Sequence, residues 1–263
     1  MQALDAAVPD AVAASAHELA TAIDAVVARL EQGGRLVYVG AGTSGRLAEL
    51  DAAECCPTFG IEEGLVVAIG SGDCAALEDD AGRGVEDVRA AKVGSTDAVV
   101  AVSASGSTPY TVAALEEAST TGALCVAVVC ARGSRLEQLA EHAVVADVGP
   151  EIVSGSTRLK AGTAQKLVLN AISTISMMRL GRTYDGLMVS VVPENAKLRE
   201  RARRNVLLAS GASEAAVDDA LAAAGGDARV ALVALLAGID PSSARERLAA
   251  AGGSVGHALG GVR

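Results

Sequence analysis

The sequence predicts an α/β fold with a doubly wound parallel sheet, followed by a small helical domain. Five short apolar segments alternate with longer helical patterns, and they cover residues 36–40, 65–70, 98–102, 124–130 and 143–148. These segments are continuous runs of Val, Ile and Ala, which are typical of strands buried on both faces of a parallel sheet. The predicted helices fall near 10–31, 44–54, 75–91, 108–121, 163–180 and 194–208. In such sheets, ligands bind at the carboxyl ends of the strands.

A composition shift after about residue 210 indicates a second domain. An internal repeat with a period of 27 residues begins there, with LAAAGGDARVAL at 221–232 and LAAAGGSVGHAL at 248–259. Each copy predicts a helix, a Gly-Gly break and another helix. We therefore expect a domain over 1–209 and a small helical domain over 210–263, with a layout like ubiquitin-associated domains. No acid–base grouping is visible in this tail, so packing, dimer support or partner contact is its expected role.

Charge and hydropathy limit the classes of partner. The 263-residue chain has a formal net charge of −10 and a sequence pI of about 4.8, which argues against nucleic acid and anionic membranes as partners. An anionic substrate must then be held by local donors. No apolar run reaches the ~18 residues of a membrane span, and the first twenty residues lack a basic signal-peptide region. We expect a cytoplasmic protein.

Cysteine and histidine usage argues against a metal centre and against a nucleophilic triad. The five cysteines show no ligand-like spacing, and they are interpreted as reduced thiols used as small apolar residues. Only His17, His142 and His257 are present, and they are scattered along the chain. We therefore expect neither a metal nor a cofactor.

The first predicted strand runs into the loop GAGTSGR at 40–46. Thr43 and Ser44 fall at the predicted N-terminus of the following helix, where hydroxyls and backbone N–H groups can bind an anion. Taken alone, the loop is explained as well by a hydroxylated helix cap on a tight turn. It also departs from the dinucleotide-binding fingerprint, because no acid follows at the end of a second strand at the required distance.

A second hydroxyl-rich loop, VSASGSTPY at 102–110, follows the third strand. Its four hydroxyl side chains are Ser103, Ser105, Ser107 and Thr108. Two Ser/Thr loops after two parallel strands are more than helix capping requires. Neutral hydroxyls together with backbone N–H groups suit a phosphate monoester without a P-loop lysine. The two loops therefore predict a phosphate site.

A third polar block precedes the long apolar helix predicted over 163–180. Lys160 is flanked there by Gly, Ser and Thr, and Glu151 lies in the same block. A ligand-facing lysine and a solvated loop lysine are equally compatible with this pattern. The basic segment 199–204 is interpreted as the solvated face of a helix.

Three separated blocks of the chain resemble one family, the N-acetylmuramic acid 6-phosphate etherases, which are lyases built on the flavodoxin-like sugar-isomerase (SIS) fold. The resemblance is strongest in 34–60, 103–118 and 149–204. It implies that the phosphate of a sugar phosphate lies in the hydroxyl loops, with Glu151 and Lys160 nearby. In the second loop the family usually has Arg where this chain has Ser107, and family members usually carry a longer segment before the first strand.

The resemblance also implies two catalytic carboxylates. Glu54 lies in DAAEC and Glu86 lies in GVED, where the family has closely similar motifs. We expect Glu54 to act as the acid toward the lactyl group and Glu86 as the base. The interval between these two residues is one residue longer than the family suggests, so Asp87 and Glu78 are kept as fallback candidates.

The implied reaction is cleavage of the D-lactyl ether of N-acetylmuramic acid 6-phosphate, giving N-acetylglucosamine 6-phosphate and D-lactate in cell-wall sugar recycling. Elimination followed by water addition needs carboxylates but neither a metal nor a cofactor. Two alternatives stay open on the same fold: a sugar-phosphate isomerase and a non-catalytic sugar-phosphate sensor. The apolar helix at 164–180 and the resemblance together lead us to expect a homodimer with a shared active site.

Overall fold

The computed structural model describes residues 1–70, 75–191 and 196–261. The chain divides into two compact units, each assembled from two segments. The first unit combines Met1–Ala53 with Glu63–Ser176, and the second combines Glu54–Glu62 with Met177–Arg263. The expected domain boundary between residues 209 and 210 stays a prediction.

A five-stranded parallel sheet forms the centre of the first unit. Its strands are β1 Leu36–Gly40, β2 Val66–Ile69, β3 Ala98–Ser103, β4 Leu124–Val129 and β5 His142–Val145. They are ordered β2-β1-β3-β4-β5, and all neighbouring pairs are parallel. This arrangement confirms the predicted doubly wound fold. The strand order reverses between β1 and β3, so this sheet has its topological switch point at their carboxyl ends.

The core of the first unit is built from small β-branched residues and alanine. Every residue of β1, β3 and β4 is buried, as the continuous apolar runs predict. Val37, Val99 and Leu115 belong to the same buried cluster on one side of the sheet. Burying each such side chain contributes roughly 1.5–3 kcal/mol, so these strands hold the loops that follow them on a rigid base.

An ion pair joins β1 and β3 at their amino ends. Arg35 Nη2 lies 2.7 Å from Asp97 Oδ2, and the backbone N–H groups of Arg35 and Gly94 donate to the same carboxylate at 2.9 and 3.0 Å. Burial on its own would raise the pKa of Asp97. The hydrogen bonds from Arg35 and Gly94 outweigh burial, so the pKa of Asp97 lies below its usual value.

Eight α-helices of the described chain precede or flank the sheet. They are α1 Gln2–Asp5, α2 Ala7–Ala13, α3 Ala16–Glu31, α4 Gly42–Phe59, α5 Ala81–Ala90, α6 Pro109–Thr120, α7 Arg135–Leu139 and α8 Lys160–Arg179. The single helix predicted over 10–31 is broken at Ser15, whose backbone N–H and hydroxyl both donate to the Val12 carbonyl. A 3₁₀-helix, Ala75–Asp79, precedes α5, and the short helix α7 was not predicted.

Within the described residues, no single helix is both long and apolar enough to cross a membrane. The N-terminal segments Gln2–Ala13 and Ala16–Glu31 meet the length and composition criteria only as a pair, and they are bent by 56° relative to each other.

The helices of the second unit include the two helix pairs that the internal repeat predicts. They are α9 Ala196–Ser210, α10 Glu214–Ala223, α11 Ala228–Ala237, α12 Pro241–Ala250 and α13 Val255–Ala258. Gly226 N donates to the Leu221 carbonyl, and Gly253 N donates in the same way to Leu248, both at 2.8 Å. The Gly-Gly pairs therefore end α10 and α12 identically. The predicted start of α9 at residue 194 lies outside the described residues.

Candidate functional site

The loop after β3 is organised by its own hydroxyl groups. Ser103, the last residue of β3, is 3% exposed, and its Oγ lies 2.9 Å from Thr108 Oγ1 and 3.4 Å from Ser105 Oγ. Gly106 N donates to Ser103 Oγ, and both N and Oγ of Ser107 donate to Ser105 Oγ. Ser103 is therefore the internal support of the loop, while Ser105 and Ser107 lie at its exposed rim.

The loop leaves the N-terminus of α6 available to a ligand. Thr108 is the N-cap residue, but no side-chain capping hydrogen bond is made there, because its hydroxyl is engaged with Ser103. An uncapped helix N-terminus presents backbone N–H groups and a partial positive charge. This end of α6 and the Ser105–Ser107 rim together can accept the oxygens of an anion.

The loop after β1 packs closely against the sheet and against α8. A side chain at Gly40 would lie 2.9 Å from the Val102 carbonyl and 3.1 Å from Gly45 N, so the tight turn requires glycine. Ser44 Oγ donates to Gln165 Oε1 at 3.0 Å. The register Gly40↔Val102 places this loop level with the loop after β3 on the neighbouring strand. The two hydroxyl loops therefore flank the switch point.

A carboxylate lies against the first residue of α4. Gly42 adopts a φ of +55°, and a Cβ at this position would overlap Glu78 Oε1 and lie 3.1 Å from Glu78 Cδ. Glu78 comes from the 3₁₀-helix that precedes α5, and it is partly buried. The absence of a side chain at Gly42 is what lets this carboxylate approach the first hydroxyl loop.

Glu151 and Lys160 both act at the start of α8. The Glu151 carboxylate accepts hydrogen bonds from Lys160 N at 3.1 Å and from Ala161 N at 3.0 Å, and so caps the helix. Lys160 is 5% exposed, and its Nζ donates to the Val148 carbonyl at 2.5 Å. The side chain is therefore not the solvated lysine that one interpretation of the sequence expected.

Glu86 and Asp87 occupy different environments on α5. Glu86 is exposed to solvent. Asp87 is an ion-pair partner of Arg83 at 2.9 Å and accepts a hydrogen bond from the Tyr110 hydroxyl at 2.8 Å. Burial, followed by this contact with Asp87, raises the pKa of Tyr110. Asp87 thus has a structural role between α5 and α6.

Glu54 is an exposed residue of α4, about three turns beyond Thr43 on the same helix. The buried neighbour Asp51 accepts hydrogen bonds from Tyr38 and Ser173, and burial raises its pKa against the effect of both. The helix therefore turns Asp51 into the first unit and presents Glu54 to solvent.

Gln165 was not identified from the sequence. It is 1% exposed, and its Nε2 has no hydrogen-bond partner among the described residues, although its Oε1 accepts from Ser44. A buried donor without a partner needs an explanation, and a ligand at the neighbouring hydroxyl loop is one that we consider. The only signal in the sequence is its position one turn into α8, after the polar block. The described residues contain no group of three or more His, Cys, Asp or Glu side chains that could hold a metal ion.

The fold and the two hydroxyl loops define a SIS-domain protein. The model of the glucokinase regulatory protein N-terminal SIS domain matches residues 18–119, and the SIS domain model matches residues 83–175. A phosphoheptose isomerase from Francisella tularensis superposes with a TM-score of 0.52 at 21% identity, over 65% of this chain and 93% of that chain. The Vibrio vulnificus NanR protein complexed with ManNAc-6P gives 0.50 at 15% identity, over 79% and 68%. These likenesses establish the fold alone.

Sequence relatives identify the family. An N-acetylmuramic acid 6-phosphate etherase of Rubrobacter xylanophilus is 56% identical over 97% of this chain and 87% of its own length. Those of Streptomyces coelicolor and Pseudoalteromonas atlantica are 49% and 44% identical, over 98% and 97% of this chain and 86% and 85% of theirs. The chain belongs to the N-acetylmuramic acid 6-phosphate etherase family, and the resemblance drawn from the sequence is confirmed.

Proposed function

We propose that this protein is a lyase that cleaves the D-lactyl ether of N-acetylmuramic acid 6-phosphate to N-acetylglucosamine 6-phosphate and D-lactate. Family membership over almost the whole chain supports the reaction. The observation that ties the reaction to this molecule is the pairing of two hydroxyl loops at the switch point with a carboxylate against Gly42. A role in cell-wall sugar recycling follows from the substrate and product.

The hydroxyl loops are proposed to hold the phosphate. Ser105, Ser107 and the uncapped N-terminus of α6 supply neutral donors, and Thr43 and Ser44 supply further hydroxyls across the switch point. The net charge of −10 makes such local donors necessary, because the protein as a whole repels an anion. Phosphate binding fixes the sugar so that remote binding energy orients C2 and C3.

The chemistry requires a base and an acid. Opening of the sugar ring exposes an aldehyde at C1, which acidifies the proton on C2. A carboxylate removes that proton, the C3–O bond breaks as an acid protonates the lactyl oxygen, and D-lactate leaves. Water then adds at C3 of the unsaturated aldehyde, with its second proton returned to C2. General acid–base groups of this kind contribute roughly 10²–10⁴-fold.

Glu78 is the base that the geometry supports best. Its carboxylate lies against the first hydroxyl loop, whereas Glu86 is exposed on α5 and Asp87 is engaged with Arg83 and Tyr110. Glu54 keeps the proposed role of acid, on the strength of its motif. We therefore propose the fallback candidate Glu78 ahead of Glu86 as the base, although Glu54 and Glu86 are both exposed and both keep the support of their motifs. Glu151 and Lys160 make hydrogen bonds at the start of α8, so we propose a structural role for them rather than a contact with the phosphate.

A cytoplasmic location and a homodimer with a shared active site complete the proposal, and both are carried by the family resemblance. The dimer can be tested by sedimentation of the full chain at micromolar concentration. A monomer that retains full activity would contradict the shared site.

The reaction is tested by incubating the full chain with N-acetylmuramic acid 6-phosphate and assaying D-lactate. Stoichiometric D-lactate and N-acetylglucosamine 6-phosphate support the lyase. A ketose phosphate without lactate would indicate the isomerase alternative, and binding without any product would indicate a sensor. Glu54→Gln should lower the rate ~10²–10⁴-fold while product binding is kept.

A further inference from the structure

We propose that the second unit carries an anion site of its own, formed by Arg182 and Arg229 and suited to a small phosphate-bearing ligand. All groups of this site lie within the second unit. The hydroxyl loops belong to the first unit, and the proposal does not depend on the etherase reaction.

Arg182 has a hydrogen-bonded backbone and a buried Nε atom without a hydrogen-bond partner among the described residues. Its N–H donates to the Met177 carbonyl and its carbonyl accepts from Ser190 Oγ, both at 2.9 Å. Its Nε is buried and has no hydrogen-bond partner among the described residues. Buried guanidinium donors are normally satisfied by carboxylates, carbonyls or a ligand. The buried Nε of Arg182 therefore calls for a partner, and our proposal assigns that partner to a bound anion.

A second guanidinium borders the same space. The Nη1 atoms of Arg182 and Arg229 lie 3.4 and 3.6 Å from the position that a Cβ on Gly253 would occupy. Burial lowers the pKa of Arg182, the positive charge of Arg229 lowers it further, and Glu62 opposes this with a smaller effect. Two cations held this close, one of them partly desolvated, favour an anion between them.

The nearby carboxylate of Asp227 does not neutralise both arginines. Asp227 pairs with Arg229 at 3.2 Å, but its Oδ1 is also the cap of α11 and accepts from the N–H groups of Arg229 and Val230. Asp227 therefore serves Arg229 and the helix. For Arg182, Glu62 is the carboxylate whose charge acts on the guanidinium, and the buried Nε still has no hydrogen-bond partner among the described residues.

An adjoining cavity sets the size of the ligand. Arg229 lines a cavity of about 260 Å³, together with Ser190, Asp227 and the Gly225–Gly226 turn. This volume lies just below the range of drug-sized pockets, so the ligand is small. A phosphate group offers three acceptor oxygens, and a guanidinium binds two of them in parallel. Arg182 does not line this cavity, so the contact with Arg182 is assigned to its Nη1, which lies near Arg229 Nη1 beside Gly253.

The test is a titration of the full chain with inorganic phosphate, followed through the arginine Nε–Hε signals by NMR. It is run in the Ser105→Ala variant as well as in the wild type, so that binding at the hydroxyl loop is recognised separately. We expect the signals of Arg182 and Arg229 to shift together and to saturate, equally in both proteins. No saturable shift at these two arginines in the wild type would overturn the proposal.

Two variants sharpen the result. Arg182→Met should abolish the shift at Arg229 and the phosphate-dependent rise in Tm, and it should raise Tm when phosphate is absent, because an unpaired buried cation has been removed. Arg247→Gln, which removes an exposed arginine of α12, should leave the phosphate response unchanged. An unchanged phosphate response in Arg182→Met, or a loss equal to it in Arg247→Gln, would contradict the site.

Discussion

The polar groups at the amino ends of β1 and β3 are hydrogen-bonded to one another, whereas some of those at the carboxyl ends lack partners among the described residues. At the amino ends, Arg35 and Asp97 satisfy each other, and Gly94 completes the carboxylate. At the carboxyl ends, hydroxyls bond mainly to one another, α6 lacks a side-chain cap, and the Nε2 of Gln165 has no described partner. The described donors at the amino ends of these two strands therefore have acceptors, and some donors at their carboxyl ends do not. Contacts that stabilise the fold are therefore found at the amino ends, and the donors available for the proposed phosphate binding lie at the carboxyl ends.

The largest expected effect on the reaction rate comes from removing the Glu78 carboxylate, which lies at the carboxyl ends of β1 and β3. Glu78→Gln should lower the rate of D-lactate release ~10²–10⁴-fold, because the proposed base is lost while the side chain keeps its shape. Affinity for N-acetylglucosamine 6-phosphate, measured by calorimetry, should change little. Glu86→Gln is the matched control, eight residues further along the chain and exposed. If Glu86→Gln is the inactive variant and Glu78→Gln is active, the assignment of the base is wrong.

The amino edge should respond in stability and not in activity. Asp97→Asn should lower the free energy of unfolding by about 1–3 kcal/mol, since it removes a charged acceptor from Arg35 and Gly94. Because the pKa of Asp97 is lowered in the folded state, its stabilising effect is present above the unfolded pKa and is lost as the pH falls through the folded value.

The gap between wild type and Asp97→Asn in urea unfolding should therefore be full at neutral pH and should shrink below about pH 4. Product affinity should be unchanged at neutral pH. A variant that unfolds like the wild type but binds product poorly would reverse the roles of the two edges.

A substitution at Gly42 tests whether the close approach of Glu78 to the first hydroxyl loop matters for activity. Gly42→Ala should cost about 1–2 kcal/mol from the positive φ alone, and it should also displace Glu78. Gly133→Ala is the control, because Gly133 has a φ of +69° but open space around its Cα. We expect similar losses of stability from backbone strain in both variants, but loss of D-lactate release only in Gly42→Ala. Equal activity in the two would show that the contact with Glu78 is not needed.

The smallest effect is expected at the rim of the second loop. Ser105→Ala should weaken N-acetylglucosamine 6-phosphate binding by about tenfold, the value of one hydrogen bond, with little change in unfolding. Binding of unphosphorylated N-acetylglucosamine, measured by the same calorimetry, should not change. An equal loss of affinity for both sugars in Ser105→Ala would contradict the assignment of the phosphate to this loop.

The fold was predictable from the sequence because its signals are local. Buried parallel strands require continuous apolar runs, and the Gly-Gly pairs of the repeat mark the ends of α10 and α12 directly. The hydroxyl loops were also predictable, since they follow strands that a parallel sheet brings to one edge. The short helix α7 and the break at Ser15 were missed, because each depends on one or two side-chain contacts.

The remaining candidate site residues make contacts that sequence spacing does not reveal. Glu78 reaches Gly42 only because a 3₁₀-helix precedes α5, and a motif on α5 pointed to Glu86. Lys160 is buried on the Val148 carbonyl, although its polar neighbours in sequence are compatible with solvent. Gln165 is linked to the first hydroxyl loop by its hydrogen bond from Ser44, which lies 121 residues earlier in the chain.

Amide NMR during titration with N-acetylglucosamine 6-phosphate tests whether the carboxyl ends of β1 and β3 form the sugar-phosphate site. We predict saturable shifts for the backbone of 42–45 and 104–108 and for the side-chain amide of Gln165. The amides of Arg35, Gly94 and Asp97 should stay in place. Shifts confined to the amino edge, or none at the hydroxyl loops at saturating ligand, would contradict the account.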